Sequence, residues 1–126
     1  MKPASILALA LAAATLAAGG AHAQGDAAKG KAVFDAVCSG CHAISGPSFA
    51  APPLGGVVGR AAGTAPAYSG YTKALKSSGI TWTDATLDAF LADPGKLVAG
   101  TAMPINVPSA ADRADVIAYL KTLAGQ

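Results

Sequence analysis

Charge is scarce in this chain, and one acidic residue type is missing from it altogether. Nine Lys and Arg stand against seven acids, and every acid is an aspartate: Asp26, Asp35, Asp84, Asp88, Asp93, Asp112 and Asp115. So small a surplus of base excludes the electrostatic footprint of a nucleic-acid binder or of a polybasic membrane patch. Long apolar runs are lacking too. The most extended one, from Ile6 to Ala18, falls short of the ~20 residues that a membrane-spanning helix needs. Histidine, methionine and cysteine occur only twice each and tryptophan once.

The N-terminus accounts for part of that sparse inventory. Met1-Lys2 is a basic start, Gly19-Gly20 breaks the apolar run, and Ala21-His22-Ala23 has the small-x-small pattern after which a signal peptidase cuts. Residues 1–23 therefore read as a cleaved secretory signal rather than an anchor, and residues 24–126 as one exported, periplasmic domain. Loss of Lys2 leaves eight bases against the seven acids, a net charge of +1. Large apolar residues are few in what remains: Phe34, Phe49, Phe90, Trp82, three Tyr and scattered Leu, Val and Ile. A domain of this size with so thin a core needs a staple, such as a disulfide, a metal or a buried cofactor.

Helical signals are clear and strand alternation is missing. Asp26 is a good N-cap for a helix reaching Val37, although Gly30 inside it costs up to ~1 kcal/mol against Ala. Such a glycine implies close approach of another helix, with mere tolerance of a poor helix former as the plain alternative. Residues 44–68 read as extended loop, too long for a compact domain unless it wraps something. A short helix is expected from about Ser69 to Ser78, ended by Gly79. Thr83 caps another from Asp84 to about Ala92, which Asp93-Pro94 stops. A second loop follows from Gly95 to Pro108. Ser109 opens a last helix over Ala110 to Leu123, with Val116, Ile117, Leu120 and Leu123 on one face. The fold class is all-α, short helices joined by long loops.

Cys38-Ser39-Gly40-Cys41-His42 is C-x-x-C-H, the attachment signature of c-type haem. Two thiols three positions apart on one turn reach the two porphyrin vinyl groups as thioethers, and the adjacent imidazole is held over the iron. A structural disulfide is the alternative for an exported chain. A thioredoxin-like pair needs a βαβ context that is lacking, and zinc needs four ligands that the chain cannot supply. With His22 and Met1 removed in export, His42 is the sole histidine and Met103 the sole methionine. Met103 lies between Gly100-Thr101-Ala102 and Pro104, in a segment that a helix would not bury. As second axial ligand its thioether would complete the iron. Gap-filling core, a lysine ligand or an open position are the alternatives.

Over nearly the whole of residues 24–126 the chain resembles the class I c-type cytochromes, that is, mitochondrial cytochrome c and its soluble bacterial periplasmic relatives. The likeness runs from Gly25-Asp26, Gly30-Lys31, Phe34 and Cys38–His42 through Pro52-Pro53-Leu54, Gly56 and Gly59-Arg60. It continues through Ala65-Pro66, Gly79-Ile80-Thr81-Trp82, Thr86-Leu87, Leu91 and Pro94. Gly100-Thr101-Ala102-Met103 and Ile117-Ala118-Tyr119-Leu120-Lys121 close it. The resemblance implies a fold wrapped around one covalent haem. It gives the Pro52 carbonyl a hydrogen bond from His42, and it sets Arg60, Trp82, Tyr71 and Thr101 at the haem propionates. It also packs Gly30 and Phe34 against the last helix near Tyr119 and Leu120. A solvated Arg60, a core Trp82 and a surface Tyr71 are the plain alternatives.

Three positions depart from the family pattern. Phe90 replaces a tyrosine whose hydroxyl reaches the ligand sulfur, Leu75 replaces a buried polar residue that helps to organise internal water, and Ala102 replaces a lysine. The expected function is a diffusible one-electron carrier and not an enzyme. It would be monomeric, without stable membrane insertion, and would dock transiently with redox proteins at the haem edge. A haem enzyme with a dissociable Met103 and a subunit of a periplasmic dehydrogenase or oxidase are the rival readings.

Overall fold

The computed structural model describes residues 24–126; the expected signal segment 1–23 lies outside the described residues. Helix α1 spans Ala27–Val33, and Asp26 caps it by accepting from the backbone N–H groups of Ala28 and Lys29 at 2.8 and 3.1 Å. The regular α-helix does not continue to Val37. It widens into a π-helical turn over Phe34–Cys38, closed by the Ser39 N–H donating to the Phe34 carbonyl at 2.9 Å. The wide turn lets Phe34 stay buried while Val37 and Cys38 face a cavity. Nothing in residue propensity distinguishes such a turn from ordinary helix.

Helix α2 is shorter than expected, Lys73–Lys76 rather than Ser69–Ser78. Thr72 is its extended N-cap, and Gly70 upstream is held against the Tyr68 ring, where a Cβ would sit 2.6 Å from the phenolic oxygen. Gly79 follows with φ of +68°, the left-handed geometry that a chain reversal after a helix requires. Helix α3, Asp84–Ala92, begins with a reciprocal capping box between Thr83 and Thr86. The expected loop at Gly95 instead starts with a further turn of helix, α4, Pro94–Leu97. Asp93 ends α3 and caps α4, accepting from the Lys96 N–H at 3.1 Å, and Pro94 takes the first helical position, where its missing N–H costs nothing. Helix α5, Ala110–Lys121, has Ser109 as its cap.

The core lies between α1, α3 and α5. Val116, Ile117, Leu120 and Leu123 are all buried, as their helical spacing requires, and pack with Phe34, Leu87, Phe90 and Leu91. Burying one such side chain is worth about 1.5–3 kcal/mol. At the crossing of α1 and α5, Phe34 meets Tyr119 edge-on with ring centroids 5.4 Å apart. Among the described residues there is no strand, only an isolated antiparallel bridge between Ala61 and Thr81. Around that bridge, the Gly59 N–H donates to the Trp82 carbonyl at 2.7 Å and the Trp82 N–H to the Arg60 carbonyl at 2.9 Å. The second loop is held under α3 by the Val107 N–H donating to the Leu91 carbonyl at 2.7 Å. Arg113 ties α5 to both neighbours. Its Nε meets Asp88 at 2.7 Å, and one terminal nitrogen donates to the carbonyls of Val107 and Pro108. Two long loops are thus fixed at their ends while their middles wrap one space.

Candidate haem site

That space is a cavity of about 320 Å³. Every residue expected at a haem site lines it: Cys38, Cys41, His42, Pro52, Arg60, Tyr71, Trp82, Thr101 and Met103. The segments that carry them are far apart in the chain, so the fold and not local sequence brings them together.

Cys38 closes the π-helical turn. The N–H groups of Cys41 and His42 both donate to its carbonyl, at 3.1 and 2.9 Å, which holds the C-x-x-C-H segment in one tight turn beside the cavity. The two thiols are not joined to each other. His42 Nδ1 lies 2.7 Å from the Pro52 carbonyl oxygen. As donor to that carbonyl it fixes the tautomer and leaves Nε2 unprotonated, as a metal-ligating imidazole requires. Burial lowers the His42 pKa below its ordinary 6.5, while the bond to Pro52 pulls the other way. Burial is the larger effect, so the neutral form is favoured.

The Pro52–Gly55 segment is itself held. Arg60 donates to the carbonyls of Pro53 at 2.9 Å and of Gly55 at 3.1 Å. Its remaining N–H donors are available to the cavity. The Tyr71 hydroxyl accepts from the Ala65 N–H at 3.2 Å and so keeps its own proton to donate. Tyr68 stacks edge-on against Tyr71 with centroids 4.9 Å apart, and both rings reach the cavity. Trp82 is buried and packs on Phe90 at 5.0 Å between ring centroids. Met103 stands in a turn, its N–H donating to Thr101 Oγ1 at 3.4 Å. Phe90, Leu75 and Ala102, the three departures from the family pattern, also line the cavity, and none has a polar side-chain atom to bring to it.

Sequence reasoning missed much of the apolar wall. Leu54, Val57, Tyr68, Leu87, Leu91, Val116 and Leu120 complete it. For Val116 and Leu120 the helical periodicity showed burial but not what they were buried against. Leu54, Val57 and Tyr68 sit in irregular loop, where no period exists to read. The donor set fits haem: a thiol pair at one turn, an imidazole and a thioether on the same cavity, apolar walls and a few N–H and O–H donors. Zinc would need a fourth ligand beyond Cys38, Cys41 and His42, and no group of three His, Cys, Asp or Glu placed to hold a metal occurs among the described residues.

Comparison with known proteins agrees with that geometry. The family model for cytochrome c matches residues 27–124. The chain is 52% identical over 101 residues to cytochrome c of Tetrahymena pyriformis, covering 79% of this chain and 91% of the relative. It is 45% identical over 111 residues to cytochrome c2 of Rhodomicrobium vannielii, with 84% and 86% covered. Its structure is similar to that of cytochrome cH from Methylobacterium extorquens, with a TM-score of 0.73 and 44% identity over 78% of this chain and 99% of that one. With fold, cavity and comparisons in agreement, the chain belongs to the cytochrome c family, as a class I c-type cytochrome whose haem is attached through its two cysteines, Cys38 and Cys41.

Proposed function

We propose that this protein is a one-electron carrier in which His42 and Met103 are the axial ligands of the haem iron. One observation carries the reading: the single histidine and single methionine of residues 24–126 line the same cavity as both cysteines. The bound haem supplies one-electron exchange at its iron. The chain's own residues orient it and set its surroundings. Pro52 holds the His42 ring, the apolar walls exclude water, and Arg60, Tyr71, Trp82 and Thr101 offer donors to the propionates. Phe90 contributes no hydroxyl toward the Met103 sulfur, which removes one means of tuning the potential.

With His42 and Met103 both holding the iron, no coordination site would be left open for a substrate. The protein's work is then to set a potential and present a docking surface rather than to turn over a substrate. Removal of residues 1–23 on export to the periplasm belongs to the same reading, since c-type haem is attached outside the cytoplasm. No described helix is long and apolar enough to cross a membrane.

The test compares visible spectra of the purified oxidised and reduced protein with those of Met103→Ala. Loss of the low-spin, methionine-ligated signature in the variant alone is the expected result, and identical spectra reject the assignment. Carbon monoxide should bind the reduced wild-type protein poorly at neutral pH. Rapid stoichiometric binding would instead favour an enzyme or ligand-binding protein.

A further inference from the structure

The two segments that supply the proposed iron ligands share a property unrelated to ligation. Residues 36–59 contain no Asp, Glu, Lys or Arg, and neither do residues 97–111. Every charged side chain of residues 24–126 lies outside these two stretches. The charges that bound the first stretch are already engaged. Asp35 pairs with Lys31 at 2.6 Å, and Arg60 donates to the carbonyls of Pro53 and Gly55. Lys96 and Asp112, of opposite sign, bound the second.

Large apolar side chains stand exposed on these same stretches. Phe49 is 96% exposed, Ile105 46% and Val37 42%. Val37 and Ile105 line the haem cavity, and Phe49 directly precedes Ala50 and Ala51, which line it as well. A shallow groove lined by Ala36, Val37, Val107 and Pro108 adjoins the rim at Val37 and is apolar but for Asn106 and Asp112, so the charge it carries is an anion. A fully exposed phenylalanine on a chain with only three of them is not core left over by chance; exposed aromatic surface rimming a functional cavity marks an interaction site.

We propose that the rim of the haem cavity is an uncharged docking surface, with Phe49, Val37 and Ile105 as its anchors, for a redox protein whose own docking face is apolar and uncharged. This rests on the electron-carrier reading. Charge complementarity decides the partner's chemistry. A partner presenting an acidic cluster to these two stretches would desolvate its carboxylates against residues that carry no cation to receive them, which is unfavourable. An apolar face loses nothing there and gains from burying an aromatic anchor at the centre of the contact. Association is then governed by short-range apolar contact, without long-range steering, and is indifferent to salt.

Voltammetry of the haem-loaded protein on gold, coated with either methyl-terminated or carboxylate-terminated alkanethiol, tests this directly, because electron exchange with the film reports that the cavity rim faces it. The expected result is a stable response on the methyl film that persists from about 10 mM to about 1 M salt, a range over which screening shrinks from long to short distance. Phe49→Ser should weaken capture on that film about tenfold, with visible spectrum and solution potential unchanged. Lys73→Gln, remote in sequence from both stretches, should capture like wild type. A response confined to the carboxylate film and lost at high salt overturns the proposal and leaves the carrier reading standing. Wild-type capture by Phe49→Ser also overturns it. Failure of electron exchange on both films, together with rapid carbon monoxide binding, defeats the carrier reading and this proposal with it.

Discussion

At Gly30 the backbones of α1 and α5 approach so closely that a Cβ would lie 1.9 Å from the Asp115 carbonyl oxygen and 2.9 Å from Tyr119 Cβ. No side-chain movement relieves a clash with backbone, so the helices themselves would have to separate. Gly30→Ala should therefore destabilise the protein by about 3 kcal/mol, the upper end for an overpacked core, despite alanine's better helix propensity. Guanidinium unfolding of the haem-loaded variant measures it, and a stability equal to or above wild type would show that the crossing is loose. This residue was conspicuous in the sequence as a glycine inside a helix. Only the packing of α5 on α1 says why it is there. His42 presents the reverse case. Its proposed ligand role comes from C-x-x-C-H, but the 2.7 Å contact with Pro52 depends on a loop ten residues on.

The elements are governed by their caps. The threonine pair that opens α3 and the aspartate that joins α3 to α4 satisfy N–H groups which otherwise have no partner. Thr83→Ala and Asp93→Ala should each cost about 1 kcal/mol. Their consequences should differ, however. Asp93 anchors the helix that leads into residues 98–103, so its loss should lower the temperature at which the Met103-ligated spectrum disappears more than Thr83→Ala does. Equal effects from the two variants in parallel thermal melts would show that α4 does not position the methionine segment. Asp93-Pro94 was readable as the end of a helix. That it also starts one follows from the same chemistry, an acceptor side chain followed by a residue lacking an N–H, once the chain has turned to make a new axis. The π-helical turn at Phe34–Cys38 had no such signal, because Phe34 must face Tyr119 while Cys38 faces the cavity, and only the assembled fold imposes both demands.

For the molecule as a whole the cavity dominates. Left unfilled, the 320 Å³ cavity would leave the apolar faces of α3 and α5 that line it open to water, at about 25 cal/mol per Å² of apolar surface. Haem is thus a structural member of the fold. A Cys38→Ser, Cys41→Ser chain expressed without haem attachment should be largely unfolded by circular dichroism and should lack a cooperative thermal transition. A sharp native-like melt would show that the helices hold each other without the cofactor. The thin core noted in the composition and the large cavity in the structure are one fact seen twice. The small charge and the neutral rim likewise belong together, and sedimentation of the oxidised protein should show a monomer over a broad range of salt.

The sequence by itself determined the chemistry. C-x-x-C-H admits few cofactors, the counts of histidine and methionine leave one candidate of each, and helical periodicity marked the buried face of α5. These are local properties, legible because covalent spacing and side-chain type suffice to state them. What only the tertiary structure decided is which distant segments share a wall. It brought Leu54, Val57 and Tyr68 to the cavity, turned Arg60 onto the loop that orients His42, and left Phe49 in solvent beside the rim. Irregular loops carry no period, and their conformation is set by hydrogen bonds to partners remote in the chain, so their side chains acquire places only when the helices close around the haem.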